Sequence, residues 1–132
     1  MRLFLDSAII KDITPRLDAG VISGVTTNPT LIKKSGREPD DVYADLIQDL
    51  KVQDVSIEVD GKYADDLIEN GIKYGKLWVD QATIKLPCTP EGIKACKMLN
   101  FMGINCTNKI KLILEKIVQE NVISNAYIFY GP

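Results

Sequence analysis

Thr83-Ile84-Lys85-Leu86-Pro87, followed by Cys88-Thr89-Pro90-Glu91-Gly92, reads as a strand that hands over at once to a helix, and it sets one lysine inside an apolar run. The strand is read from Trp78 to Leu86. Thr89 is placed to cap the helix, and Pro90 takes the first helical position, where a missing N–H costs nothing. The lysine needs a reason. In water a lysine has a pKa of about 10.4, so roughly one molecule in a few thousand carries a neutral amine at neutral pH. Burial among apolar neighbours penalises the ammonium and yields an amine able to attack a carbonyl, the opening step of Schiff-base chemistry. The plainer alternative is a strand-end lysine that reaches water along its own stem.

Outward from this unit, short apolar runs alternate with helical patterns, which predicts βα units on a parallel sheet. A strand at Leu3-Phe4-Leu5 precedes a helix from Ile9 to Ala19, with Ile9, Ile10, Ile13 and Leu17 at helical spacing and Gly20 closing it. Gly24-Val25-Thr26-Thr27 is a second strand, running into Asn28-Pro29, and a helix follows from Asp40 to Leu50. Val55 to Val59 is the third strand, with a helix from Ala64 to Tyr74 that ends at Gly75. Past the Lys85 unit, Gly103-Ile104-Asn105-Cys106-Thr107 is a short fifth strand. A helix from Lys109 to Glu120 and a strand from Ala126 to Tyr130 complete the pattern.

The 132 residues fit one domain, and 45% hydrophobic with 26% charged residues is ordinary for a globular chain. A net charge of -2 makes no electrostatic case for nucleic acid or an anionic membrane surface. No apolar run approaches the roughly 18 residues of a membrane span, and the N-terminal run is broken at Asp6, too early for a signal peptide. The expected location is the cytoplasm. Cys88, Cys96 and Cys106 are odd in number and lack C-x-x-C spacing, so neither a disulfide framework nor a zinc site is indicated. With no histidine in the chain, a histidine base, a Ser-His-Asp triad and histidine metal ligands are excluded.

No glycine-rich dinucleotide fingerprint follows any strand. Polar residues occupy the strand ends instead: Asp6, Thr26, Asn28, Glu58, Lys85, Asn105 and Thr107. In a (β/α) barrel those ends face one mouth, so the set converges on a single cavity. Each also has a dull explanation, as a helix cap for Asp6, Asn28 and Thr107 or a solvated edge residue for Glu58.

Phe4-Leu5-Asp6-Ser7-Ala8, Gly24-Val25-Thr26-Thr27-Asn28-Pro29-Thr30, Ile84-Lys85-Leu86-Pro87 with Thr89-Pro90-Glu91-Gly92, and Gly103-Ile104-Asn105-Cys106-Thr107 together resemble the small transaldolase and fructose-6-phosphate aldolase family. The match is close over 1–107, and 108–132 is a divergent tail of the same single domain. The resemblance implies an α/β fold, a partial TIM barrel of about six βα units with the last two missing, and hence a truncated chain. It implies that Lys85 attacks the ketose C2 carbonyl and that Asp6 takes the C4 hydroxyl proton as the C3–C4 bond breaks. Asn28 and Asn105 would hold the dihydroxyacetone unit, with Thr26 and Phe129 also on the substrate. Glu58 and Thr107 would position the water that shuttles protons. No cofactor and no metal are implied.

The implied reaction is transfer of a dihydroxyacetone unit between sugar phosphates of the pentose phosphate pathway: fructose 6-phosphate, sedoheptulose 7-phosphate, erythrose 4-phosphate and glyceraldehyde 3-phosphate. Family members that act as aldolases carry Gln where Glu58 stands and Tyr where Phe129 aligns, which leans toward transfer over aldol cleavage. Tyr127, Ile128 and Pro132 replace the family's serine, proline and phosphate-holding arginine, so weak phosphate affinity is expected. Unpaired strand edges predict a homo-oligomer. The alternatives are an impaired barrel serving as a binding or assembly protein, and fructose-6-phosphate aldolase activity.

Overall fold

The computed structural model describes residues 2–109. Within them, five strands form one parallel sheet in the order β1-β2-β3-β4-β5, alternating with helices. The strands are β1 (Phe4–Asp6), β2 (Gly24–Thr26), β3 (Val55–Glu58), β4 (Ala82–Pro87) and β5 (Cys106–Lys109). The helices are α1 (Ile10–Asp18), α2 (Pro29–Ser35), α3 (Pro39–Ala44), α4 (Ala64–Leu77) and α5 (Pro90–Phe101). A π-helical turn, Asp45–Asp49, continues α3. This is an α/β fold in which each strand pairs with the next in sequence, as in a barrel segment, and among the described residues the sheet is not closed. The sixth strand and its helix expected from sequence lie outside the described residues.

Residues partnered across a parallel ladder point to the same side, so the register sorts the side chains into two faces. Val25 pairs with Val55, Val55 with Ala82, Ile57 with Ile84, and Ile84 with Cys106. This face is apolar and meets the helices. Val25, Val55, Ile57, Ile84 and Leu86 are fully buried there against Ile13, Leu46, Leu67 and Leu99. The other face carries Asp6 beside Thr26, Thr26 beside Ser56, Ser56 beside Thr83, Glu58 beside Lys85, and Lys85 beside Thr107. Strict alternation in β4, with Ala82, Ile84 and Leu86 buried and Thr83, Lys85 and Pro87 partly exposed, is the period of two that separates core from site.

Several boundaries move from the sequence expectation, each for a local reason. Pro29–Ser35 is a helix that the sequence pattern does not assign: Asn28 caps it through Oδ1, which accepts from Leu31 N at 3.0 Å, and Ile32 anchors it in the core. Gly75 does not end its helix, which runs on to Leu77. A Cβ at Gly75 would sit 2.4 Å from Ile104 Cγ2, so the glycine is there to let Ile104 approach. Trp78 to Gln81 form a turn before β4, held by Gln81 N and Ala82 N donating to the Trp78 carbonyl. The fifth strand starts at Cys106, three residues later than read, because Gly103 takes a φ of 77° and turns the chain out of α5. Gly20, with φ 66°, closes α1 as read.

The α5 N-terminus is as expected. Thr89 Oγ1 accepts from Gly92 N at 3.1 Å, with Pro90 at the first helical position. Thr89→Ala is expected to destabilise the fold by about 1 kcal/mol, the usual cost of a lost N-cap, measured as a lower urea midpoint at unchanged slope. A midpoint equal to that of the parent would count against the cap.

Candidate active site

Lys85 sits on the polar face of β4 with its side chain 16% exposed. Its amine donates to the Thr27 carbonyl oxygen at 2.9 Å and lies 3.4 Å from Glu58 Oε2, on a carboxylate side chain 20% exposed. The surroundings correct the sequence expectation of an apolar pocket: the stem crosses the sheet face, but the head group is met by a carbonyl and a carboxylate. The geometry follows from register, since Glu58 and Lys85 are ladder partners on adjacent strands. Thr27 lies just past β2, and its amide continues the ladder by donating to the Ser56 carbonyl at 3.2 Å. Its hydroxyl donates to the same carbonyl at 2.9 Å and reaches the Tyr43 hydroxyl at 3.4 Å. Thr27 is fully buried, so its anchored side chain fixes the residue whose carbonyl receives Lys85. Burial pushes the Tyr43 phenol above its ordinary value, which keeps it neutral beneath this junction.

Asp6 ends β1 and accepts a 2.7 Å hydrogen bond from Thr26 Oγ1 at its Oδ1. The two are ladder partners, so the threonine orients the carboxylate without moving a backbone. Sequence reasoning allowed Asp6 a capping role for α1. The structure gives that helix Ile9 as its N-cap residue, without a side-chain cap bond, which leaves Asp6 on the sheet face. Asn28 does perform the plain role: its Oδ1 caps α2, which leaves the Nδ2 amide to meet a ligand.

Asp6, Asn28 and Glu58 line one open cleft of about 490 Å³, together with Pro29, Thr30, Leu31 and Lys34. Glu58 joins the cleft to the Lys85 amine. Thr107 is the ladder partner of Lys85 on β5 and is exposed. Asn105 is also exposed, and its carbonyl accepts from Ile84 N at 2.9 Å, which places it next to β4 immediately before β5. Of the eight residues expected at the site, Phe129 lies outside the described residues. The other seven divide into two hydrogen-bonded or ion-paired couples, the Asn28 cap, and two exposed residues at the β5 edge. Sequence reasoning missed the Thr27 carbonyl and gave Lys34 no settled place. The first is a backbone atom that no residue type reports, and the second depends on α2, which the sequence pattern does not assign.

A second cleft of about 570 Å³ lies on the far side of Glu58, between the α2–α3 loop and α4, and includes Lys33, Arg37, Tyr43 and Tyr74. Its walls are held by surface pairs, among them Arg37 with Asp45 and Lys73 with Asp40. Among the described residues there is no cluster of three or more His, Cys, Asp or Glu side chains placed to hold a metal ion, and no helix is long and apolar enough to cross a membrane.

Comparison with known proteins bears on this arrangement. The sequence model described as Transaldolase/Fructose-6-phosphate aldolase matches residues 3–108. The chain is 41% identical over 106 residues to a probable transaldolase of Symbiobacterium thermophilum, covering 80% of this chain and 48% of the relative. It is 44% identical over 105 residues to a probable transaldolase of Hyphomonas neptunium, covering 80% and 48%. With a probable transaldolase of Thermoplasma volcanium it is 41% identical over 122 residues, covering 86% and 54%. The chain spans about half the length of the curated relatives it matches.

Proposed function

We propose a function from a plain premise: this chain belongs to the transaldolase/fructose-6-phosphate aldolase family. The function is transfer of a dihydroxyacetone unit between sugar phosphates through a Schiff base on Lys85. The observation that carries it is the placement of the Lys85 amine, 2.9 Å from the Thr27 carbonyl and 3.4 Å from Glu58, on the same sheet face as the Thr26-oriented carboxylate of Asp6.

The chemistry runs as follows. The Lys85 amine, its proton passed to Glu58, adds to the ketose C2 carbonyl, and loss of water leaves a protonated imine. Asp6 takes the proton from the C4 hydroxyl. The C3–C4 bond breaks, its electrons flow into the imine to give an enamine, and the aldehyde leaves. The enamine carbon then attacks an acceptor aldehyde, and water, positioned by Glu58 and Thr107, hydrolyses the product imine. The Asn28 amide, oriented by its capping role, and Asn105 hold the dihydroxyacetone hydroxyls in the geometry that the transfer needs. Glu58, where aldolase members carry Gln, favours transfer over cleavage. Thr26 and, at the end of the chain, Phe129 complete the substrate contacts in this reading. Fructose 6-phosphate and sedoheptulose 7-phosphate are the donors, erythrose 4-phosphate and glyceraldehyde 3-phosphate the acceptors, and the protein acts in the cytoplasm as a homo-oligomer.

Incubation with fructose 6-phosphate followed by borohydride tests this directly. The expected result is a covalent adduct in the intact mass. Absence of any adduct at saturating donor sinks the proposal.

The substrate phosphate also needs a counter-charge, because Pro132 stands where the family's arginine would align. Lys34 lines the cleft with Asp6 and Asn28 and is the cation there suited to that task. Lys34→Gln is expected to raise the KM for fructose 6-phosphate roughly ten- to hundredfold, the worth of one charge-assisted hydrogen bond, and to leave the KM for fructose unchanged. Equal effects on both sugars would assign Lys34 to the fold instead.

A further inference from the structure

We propose that Cys96 and Cys106 form an oxidant-sensitive dithiol, a modification site that a hydroperoxide closes to an intramolecular disulfide. Cys96 lies on the inner side of α5 and Cys106 opens β5, on either side of the turn at Gly103. They stand ten positions apart in sequence, so no spacing motif announces the pair. The fold nonetheless brings the two sulfurs to 3.0 Å. A disulfide bond is about 2.0 Å long, so closure asks for roughly 1 Å of approach, within reach of side-chain rotation. Both residues are partly buried and both thiols are free.

The hydrogen bonds give the two sulfurs different parts. The Cys106 thiol donates to the Cys96 carbonyl oxygen at 3.2 Å, and Asn100 Nδ2 points at Cys96 Sγ from 3.7 Å. Burial and the neighbouring Cys96 push the Cys106 thiol up to about 12, so it stays protonated at neutral pH. With the Cys106 S–H engaged by the Cys96 carbonyl, the sulfur assigned the attack on the hydroperoxide is Cys96 Sγ, at which Asn100 Nδ2 points. Its sulfur attacks the O–O bond, taking one oxygen as a sulfenic acid, and the other oxygen leaves as the alcohol, or as water when the oxidant is hydrogen peroxide. The Cys106 sulfur then attacks the sulfenic sulfur and gives up its proton, and the sulfenic oxygen departs as water. In sum, one dithiol and one hydroperoxide give one disulfide, one alcohol and one water, a two-electron exchange that balances. The bond would tie β5 to α5 directly beneath the strand on which Thr107 flanks Lys85.

The full chain, treated with equimolar hydrogen peroxide and then alkylated, provides the test. The expected product retains one alkylatable thiol, Cys88, and is lighter than the reduced protein by about 2 Da before alkylation. Trypsin cuts after Lys94, Lys97 and Lys109, so the bond would join the peptide Ala95 to Lys97 to the peptide Met98 to Lys109, while Cys88 stays in Leu86 to Lys94. Dithiothreitol should restore three thiols. Cys106→Ser is expected to hold the sulfenic acid on Cys96, captured by dimedone. Full alkylation of all three cysteines after peroxide, a bond to Cys88, a bond between two chains, or dimedone on Cys106 in Cys96→Ser would each overturn the proposal.

Discussion

Lys85→Met is expected to leave no adduct after fructose 6-phosphate and borohydride, and to lower donor turnover by about a thousandfold or more. Methionine keeps the length of the stem across the sheet face but has no amine with which to form an imine. The rest of the polar face should stay in place, because β4 is held by Ala82, Ile84 and Leu86 on its opposite side. Cooperative unfolding of the variant would show that the loss is chemical. Other lysines provide the contrast: Lys94 is bound to Glu91 at 2.6 Å on α5, while Lys33 and Lys34 lie at the end of α2. An adduct that persists in the variant, or that maps to any of these three, removes Lys85 from the mechanism.

Gly92→Ala should be the most destabilising small change at the β4–α5 junction. An alanine Cβ there would lie 1.9 Å from the Pro87 carbonyl oxygen and 2.9 Å from its carbon. Both are backbone atoms, so relief requires the first turn of α5 to move off the end of β4. That movement would also pull Gly92 N from the Thr89 hydroxyl it bonds at 3.1 Å. A loss of about 3 kcal/mol or more is expected, at the upper end of what overpacking costs, read from urea unfolding. Because Pro87 is two residues from Lys85, a folded fraction of the variant should also trap donor poorly. A change under about 0.5 kcal/mol, the usual range for surface substitutions, would mean that α5 does not approach β4 as described.

The parallel sheet was legible because short apolar runs alternating with helical patterns mark each βα unit before any long-range contact is known, and its strand order followed from the barrel that the resemblance implies. The polar set was legible as residues at strand ends; in the sheet, Thr26, Glu58 and Lys85 fall on the phase opposite to Val25, Ile57 and Ile84, and Asp6 and Thr107 are ladder partners of Thr26 and Lys85. What escaped the sequence was decided by neighbours distant along the chain. Gly75 reads as a helix stop until Ile104 is placed against it. Pro29–Ser35 is too short, with one core anchor at Ile32, to show a helical period. The Thr27 carbonyl and the paired sulfurs of Cys96 and Cys106 are products of packing, and no pattern of residue types encodes them.

Strand order has a further consequence, for how such a chain is made. In this sheet each strand lies beside the one translated just before it, from β1 through β5. A ribosome delivers residues at about 5 to 20 per second, slowly compared with the microseconds in which helices and local contacts form. From β2 to β5, each newly emerged strand therefore finds its docking edge already in place. Parallel sheets are slow to assemble because distant segments must meet. Here the distance is one βα unit at every step, so assembly proceeds as vectorial growth from the N-terminus, with the newest strand always the template for the next.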